Sequence, residues 1–104
     1  MAEPKNRMRP VHPGEILKED VLSAMGLSAN ALAHELRVPV TRISEILHGR
    51  RAITADTALR LARYLGTTAQ FWLNLQASYD LKIAEQTLGR KIEREIHPRE
   101  SVAA

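Results

Sequence analysis

The feature that most constrains this chain is the tripeptide Arg37-Val38-Pro39, which separates two short segments of helical periodicity. Apolar side chains recur at helical spacing on both sides of it: Leu32, Ala33 and Leu36 before, and Ile43, Ile46 and Leu47 after. Proline cannot continue the first helix, because it lacks an amide hydrogen and disfavours helical geometry at Val38, but it fits the first turn of a new helix. Residues 28–48 are therefore predicted to form two helices that cross closely at a tight turn.

Two short helices joined in this way are typical of the helix-turn-helix, whose second helix enters the major groove of DNA. The charge distribution supports this interpretation. The chain carries a net charge of only +3, but residues 37–63 hold six arginines against Glu45 and Asp56, a local excess of +4. A basic patch centred on the motif is the electrostatic footprint expected for phosphate binding. The partner predicted from these residues is double-stranded DNA.

On the second helix, burial of the apolar residues leaves polar side chains facing outward. Arg42 can donate two hydrogen bonds to a guanine, and Thr41 can contact a base edge, a thymine methyl group or a phosphate. Glu45 is unfavourable close to phosphates, so it either accepts from a cytosine amino group or orients Arg42 three residues away. This helix is therefore the predicted source of sequence specificity.

Residues outside the second helix are predicted to position the protein on the DNA backbone. Arg50 and Arg51 follow the helix and are interpreted as phosphate clamps. Ser28, a good N-cap, and Asn30 lie in the first turn of the first helix, and Arg37 falls where the turn often requires left-handed backbone. The full predicted DNA-binding set is Ser28, Asn30, Arg37, Pro39, Val40, Thr41, Arg42, Ser44, Glu45, His48, Arg50, Arg51 and Thr54.

Two further helices flank the motif. The first runs over residues 12–25, has an apolar row at Leu17, Val21 and Met25, and stops at Gly26. The second begins after Thr54, which is predicted to cap it, and stops at Gly66. The amino-terminal end of this helix, at Thr54, can also hold a phosphate. Its apolar positions are Ala58, Leu61, Ala62 and Leu65.

A final, longer helix is predicted from a cap at Thr67 or Thr68 to Leu88, with Gly89 as its stop. One apolar stripe holds Trp72, Leu75, Tyr79 and Ile83, and another, about 140° away, holds Leu73, Ala77, Leu81, Ala84 and Leu88. One stripe can close the core, whereas the other needs a second partner, either a neighbouring subunit or another protein. Leu73, Ala77, Leu81, Ala84 and Leu88 are predicted to form a homodimer interface.

These elements predict an all-α fold of five helices. Residues 1–11 are expected to be a flexible arm, either frayed or in contact with DNA, and residues 89–104 a flexible tail. The four-residue spacing of Ile92 and Ile96 leaves open a short extra helix or a partner-binding segment in this tail. The domain between the arm and the tail spans residues 12–88, with the helix-turn-helix at about 28–48 and the dimerisation helix at about 68–88.

Several classes of protein are disfavoured by the sequence. The chain lacks cysteine, a membrane-length apolar run and a signal peptide, so we expect a cytoplasmic protein without disulfides. Its four histidines lack ligand spacing, and no catalytic motif or phosphate loop is present, so no metal, cofactor or enzymatic activity is expected. His12 is interpreted as a structural or exposed histidine.

With these residues in place, the chain resembles the HigA/VapI-like antitoxins, a branch of the λ-repressor-like, XRE-type helix-turn-helix family. The resemblance spans about residues 10–88 and is carried by HPGEIL at 12–17, ILHGRRAIT at 46–54, ALRLARYLGT at 58–67 and FWLNLQASYDL at 71–81. It implies a five-helix homodimer that neutralises a RelE-like mRNA-cleaving toxin, HigB, and represses the operon that encodes both proteins.

Two alternatives stay open at this point. The chain could be a stand-alone XRE-type transcriptional regulator without a toxin partner, or a protein-interaction module that does not bind DNA. No motif marks the surface that would contact a toxin.

Overall fold

The computed structural model describes residues 9–100, and within that range five helices follow one another without a strand. Helix α1 consists of three consecutive segments, Pro13–Ile16, Leu17–Leu22 and Ser23–Met25, the middle one π-helical. The other helices are α2, Ala29–Leu36; α3, Val40–Leu47; α4, Ala55–Leu65; and α5, Ala69–Glu95. The expected all-α fold of five helices is confirmed.

The π-helical segment of α1 changes which of its side chains are buried. Hydrogen bonds in a π-helix join residues five apart, so Leu17 and Leu22 share the face that packs into the core. Val21 packs only at the edge of the core, and Met25 is 51% exposed. The predicted apolar row is therefore wrong at Met25, because the wider turn rotates the end of the helix away from the core.

The crossing of α2 and α3 follows the sequence closely. The hydroxyl of Ser28 caps α2 by accepting from the amide of Ala31 at 3.0 Å. Arg37 ends that helix in the left-handed conformation with φ 60°, as expected. Pro39 occupies the N-cap position of α3 and not its first turn, so that Val40 is the first helical residue. The buried residues of the two helices are Leu32, Ala33, Leu36, Ile43 and Ile46.

Helices α4 and α5 close the core from the other side. Ala58 and Leu61 of α4 are fully buried, as is Trp72 of α5, whose indole N–H donates to the hydroxyl of Thr67 at 2.8 Å. Thr68 is the cap of α5, since its hydroxyl accepts from the amide of Phe71 at 3.0 Å. Trp72 therefore anchors α5 on the domain.

Helix α5 is longer than predicted. It passes through Gly89 and ends at Glu95, so the expected end at Leu88 is wrong and residues 89–95 are helical. A glycine inside a helix costs only about 1 kcal/mol, and the chain after it contains no proline until Pro98. Continued backbone hydrogen bonding, up to Ile96 N–H with the carbonyl of Ile92 at 2.8 Å, outweighs that cost.

The predicted terminal segments lie partly beyond this description. Residues 1–8 of the predicted arm and residues 101–104 of the predicted tail are outside the described residues. Between residues 9 and 100, no helix has the length and apolar character needed to cross a membrane.

Candidate nucleic-acid interface

The outward face of α3 has the character expected of a recognition helix. Thr41 is exposed, and Val40 is 41% exposed although it is apolar. Ser44 and Glu45 are half-buried farther along the helix. His48 is exposed at its end, with Nδ1 2.8 Å from the carbonyl oxygen of Ser44. The first turn of α3 therefore presents small side chains, and its last turn is closed by a histidine.

Arg42 is turned away from the middle of this face toward α4. Its Nη1 donates to Oδ2 of Asp56 at 2.6 Å and lies 3.5 Å from the hydroxyl of Thr57. Asp56 also accepts from Nε of Arg60 at 3.0 Å, and Arg60 in turn donates to the carbonyl of Leu36 at 2.9 Å. One carboxylate thus connects the second helix of the motif, α4 and the carboxyl end of α2.

The same network sets the ionisation of Asp56. Hydrogen bonds from Arg60 and then from Arg42 lower the pKa of its carboxyl group, so it stays charged at neutral pH. A guanine that is to be bound by Arg42 must therefore compete with a charged carboxylate for the guanidinium group.

Glu45 pairs with Arg51 and not with Arg42. Nε and Nη2 of Arg51 both lie 2.8 Å from Oε1 of Glu45. The suggestion that Glu45 orients Arg42 is wrong, because the loop after α3 folds back and brings a closer guanidinium group to the carboxylate. Arg51 is therefore held against α3, whereas the exposed side chain of Arg50 forms no ion pair with any residue between 9 and 100.

The remaining predicted DNA-binding residues surround α3. Ser28 and Asn30 are exposed at the start of α2, and Arg37 and Pro39 are exposed in the turn. Thr54 is exposed at the N-cap of α4, but its side chain makes no capping hydrogen bond, so the predicted cap is wrong in that respect. Its backbone still has the extended conformation of an N-cap residue.

Several residues important to this surface were missed from the sequence. The four-residue spacing of Asp56 and Arg60 is a signal for their ion pair, although not for the link to Leu36. Gln76 gave no signal: it is 7% exposed, and its Oε1 accepts from the amide of Ile53 at 2.8 Å. This bond fixes the segment between the Arg50-Arg51 loop and α4 on α5.

The predicted dimerisation stripe is largely open in a single chain. Leu81 is 60% exposed and Leu88 45% exposed; Ala77 is also exposed, and Ala84 is half-buried. Leu73 differs from the others because it is half-buried and packs against the core. The stripe therefore has one end on the domain, and most of the rest is left exposed by residues 9–100.

Comparison with known proteins agrees with this geometry. Residues 17–72 match the helix-turn-helix family HTH_3. The sequence is 62% identical over 82 residues to virulence-associated protein I of Dichelobacter nodosus. The aligned residues make up 79% of this chain and 76% of that protein.

Two solved structures of antitoxins have the same fold. A HigA-family addiction module antidote protein from Coxiella burnetii superposes with a TM-score of 0.83 at 55% identity, over 88% of this chain and 99% of that one. Pseudomonas aeruginosa antitoxin HigA, solved with the higBA promoter, has a TM-score of 0.85 at 47% identity, over 86% and 98% of the two chains.

Proposed function

Because the chain belongs to the HigA/VapI-like antitoxins of the XRE-type helix-turn-helix family, we propose that it represses its own operon and neutralises a RelE-like mRNA-cleaving toxin of the HigB kind. The observation that carries the DNA-binding part is the exposed face of α3 beside the Arg50-Arg51 loop, in a chain 47% identical to an antitoxin solved with its promoter. The toxin-binding part rests on membership of the family.

In the proposed complex, the first turn of α3 contacts base edges and the surrounding residues contact phosphates. Val40 and Thr41 are the most accessible side chains of that turn, and an exposed valine suits a thymine methyl group. Arg50 approaches the backbone from the loop, and Ser28 and Asn30 from the start of α2. Base recognition is thus assigned to α3, and the surrounding phosphate contacts are assigned the positioning of the protein along the duplex.

A dimer would cover the open stripe of α5 and would bind an operator that is palindromic. Two copies that pair through Leu81, Ala84 and Leu88 present two recognition helices related by twofold symmetry. Such dimers bind half-sites about 34 Å apart, one turn of DNA. The chain acts by binding and not by catalysis, uses no cofactor, and meets its operator in the cytoplasm.

Operator binding is tested by fluorescence anisotropy with a duplex taken from the DNA directly upstream of the gene. We expect affinity to fall with salt, and Arg50→Ala to weaken binding on all sequences and reduce the salt slope by about one. Arg94→Ala, which removes the same charge from the last turn of α5, is the matched control and should bind as the native chain does. A native chain that does not bind this duplex at any salt concentration contradicts operator repression.

Toxin neutralisation is tested by co-expressing the gene for this chain with the adjacent gene. We expect the chain to restore growth that the neighbouring protein arrests, and the two proteins to co-purify. Operator binding without a neutralised neighbour would instead identify a stand-alone regulator, and co-purification without operator binding would identify an interaction module.

A further inference from the structure

His12 precedes α1 in the sequence, but its side chain lies at a junction between α1 and α5. It is the N-cap residue of α1, where its Nδ1 accepts from the amide of Gly14 at 2.9 Å. Its ring packs in a T-shaped arrangement with that of Tyr79 of α5, with 4.9 Å between ring centroids and 72° between ring planes. A single half-buried imidazole therefore contacts both the first and the last helix.

The same ring supports the loop that follows α3. A Cβ atom at Gly49 would lie 3.8 Å from Cγ of His12, so the loop passes close beside the imidazole. The backbone of Arg51 also lies near enough to act on the ring as a hydrogen-bond acceptor, which raises the pKa of His12. Because Nδ1 accepts from Gly14, the neutral ring carries its proton on Nε2, which is the nitrogen left to donate to the Arg51 carbonyl. His12 thus lies against the Arg50-Arg51 loop, which directly follows the proposed recognition helix.

Close packing keeps this junction in place. A Cβ atom at Gly14 would collide with the carbonyl oxygen of Ile46, so only glycine lets the start of α1 lie against the end of α3. Burial lowers the pKa of His12 and outweighs the opposing effects of Asp80 and of the Arg51 backbone. The imidazole is therefore neutral at neutral pH, which is the form that can accept from Gly14 and donate to Arg51 together.

We propose that His12 is a positioning residue for DNA binding, which ties the loop of residues 49–51 to α1 and α5 and so fixes the approach of Arg50 and Arg51 to the phosphate backbone. The proposal rests on the proposed operator binding. A loop that is already ordered loses less conformational freedom when it binds, so its anchor contributes to affinity without touching DNA. The anchor also links the DNA-binding loop to α5, the helix assigned to dimerisation.

Two substitutions separate positioning from helix capping. His12→Asn retains an excellent N-cap acceptor but is too short to reach the Arg51 carbonyl, whereas His12→Gln is a poor cap and retains an amide donor near the position of Nε2. We expect thermal stability to fall in the order native, Asn, Gln. Affinity for the upstream duplex, measured well below either melting temperature, should fall in the order native, Gln, Asn. The Asn variant should lose about fivefold, the equivalent of one hydrogen bond.

The control is His97→Asn, at an exposed position beyond α5, which should leave both stability and affinity unchanged. If the Asn variant binds as tightly as the native chain, or if the affinities of the two variants follow their melting temperatures, His12 is only a cap and the proposal is overturned. A native chain that does not bind the duplex overturns the proposed function instead, so the two failures are distinct.

Discussion

At the scale of single residues, Arg37 shows a local conformational cost inside the motif. Within residues 9–100 it is the only residue other than glycine with positive φ, at 60°. Its amide bonds to the carbonyl of His34 at 3.2 Å, and that of Val38 to Ala33 at 3.1 Å, so the turn is closed by backbone bonds that any residue could make. A side chain in left-handed backbone costs about 1 to 2 kcal/mol. The presence of an arginine at this costly position is consistent with the predicted contact of the guanidinium group with DNA.

We therefore expect Arg37→Gly to stabilise the folded protein by about 0.5 to 1 kcal/mol, because relief of the left-handed strain exceeds the entropy that glycine adds to the unfolded chain. Denaturant unfolding at one fixed protein concentration measures the effect, since dimer stability depends on concentration. The matched control is Glu35→Gly in the last turn of α2, which should destabilise by about 1 kcal/mol. An unfolding free energy that is unchanged or lower in Arg37→Gly would show that the arginine side chain compensates for its own strain.

Residue patterns predicted some local features of the motif correctly and pairings across loops poorly. The cap at Ser28 and the left-handed Arg37 follow from the chain within three or four positions of each residue, so sequence was sufficient for both. The partner of Glu45 was misassigned, because the loop folds back and Arg51 reaches the carboxylate before Arg42 does. Gln76 and Ile53 are 23 positions apart, and no local rule connects them.

At the scale of elements, α5 shows how weak a single stop signal can be. Gly89 was expected to end the helix, yet α5 has 27 residues and continues six residues beyond it. Its glycine has helical backbone, and no heavy atom would lie within 4 Å of an added Cβ. The π-helical segment of α1 was missed for a related reason: an apolar row tells which residues prefer burial but not how many residues a turn contains.

Gly89→Ala should therefore stabilise α5 by about 1 kcal/mol, since alanine is the better helix former and finds open space here. Helicity from circular dichroism and the melting temperature should both rise. Gly66→Ala is the matched control: Gly66 has φ 77° at the end of α4, so alanine there should destabilise the protein. A lower melting temperature for Gly89→Ala would mean that the glycine is needed for close approach to a second molecule.

At the scale of the whole molecule, the stripe on α5 is an apolar surface that residues 9–100 leave largely exposed. Leu81 and Leu88 are followed by Ile92, 47% exposed, and Ile96, 64% exposed, so the apolar surface extends beyond the predicted dimerisation stripe. The predicted stripe ends at Leu88 because the helix was expected to end there, whereas α5 continues to Glu95.

Leu81→Glu should convert a dimer into a monomer, because a charge in the centre of an apolar interface loses its hydration without gaining a partner. Sedimentation velocity measures the mass, and we expect helicity to be retained and operator affinity to fall. Leu59→Glu on α4 is the control, since Leu59 is similarly exposed at 63% but lies outside the stripe. An unchanged mass for Leu81→Glu would place the dimer interface elsewhere.

The π-helical turn of α1 bears on how proteins of this kind can vary in length. It closes hydrogen bonds over five residues and so accommodates one residue more than an α-helical turn. A relative with one residue fewer between Leu17 and Leu22 could close the same turn as ordinary α-helix. Gly14 would remain against α3, and Gly26 would still end the helix. Insertions and deletions, which usually accumulate in surface loops, can thus be absorbed inside this helix while the DNA-binding face is preserved.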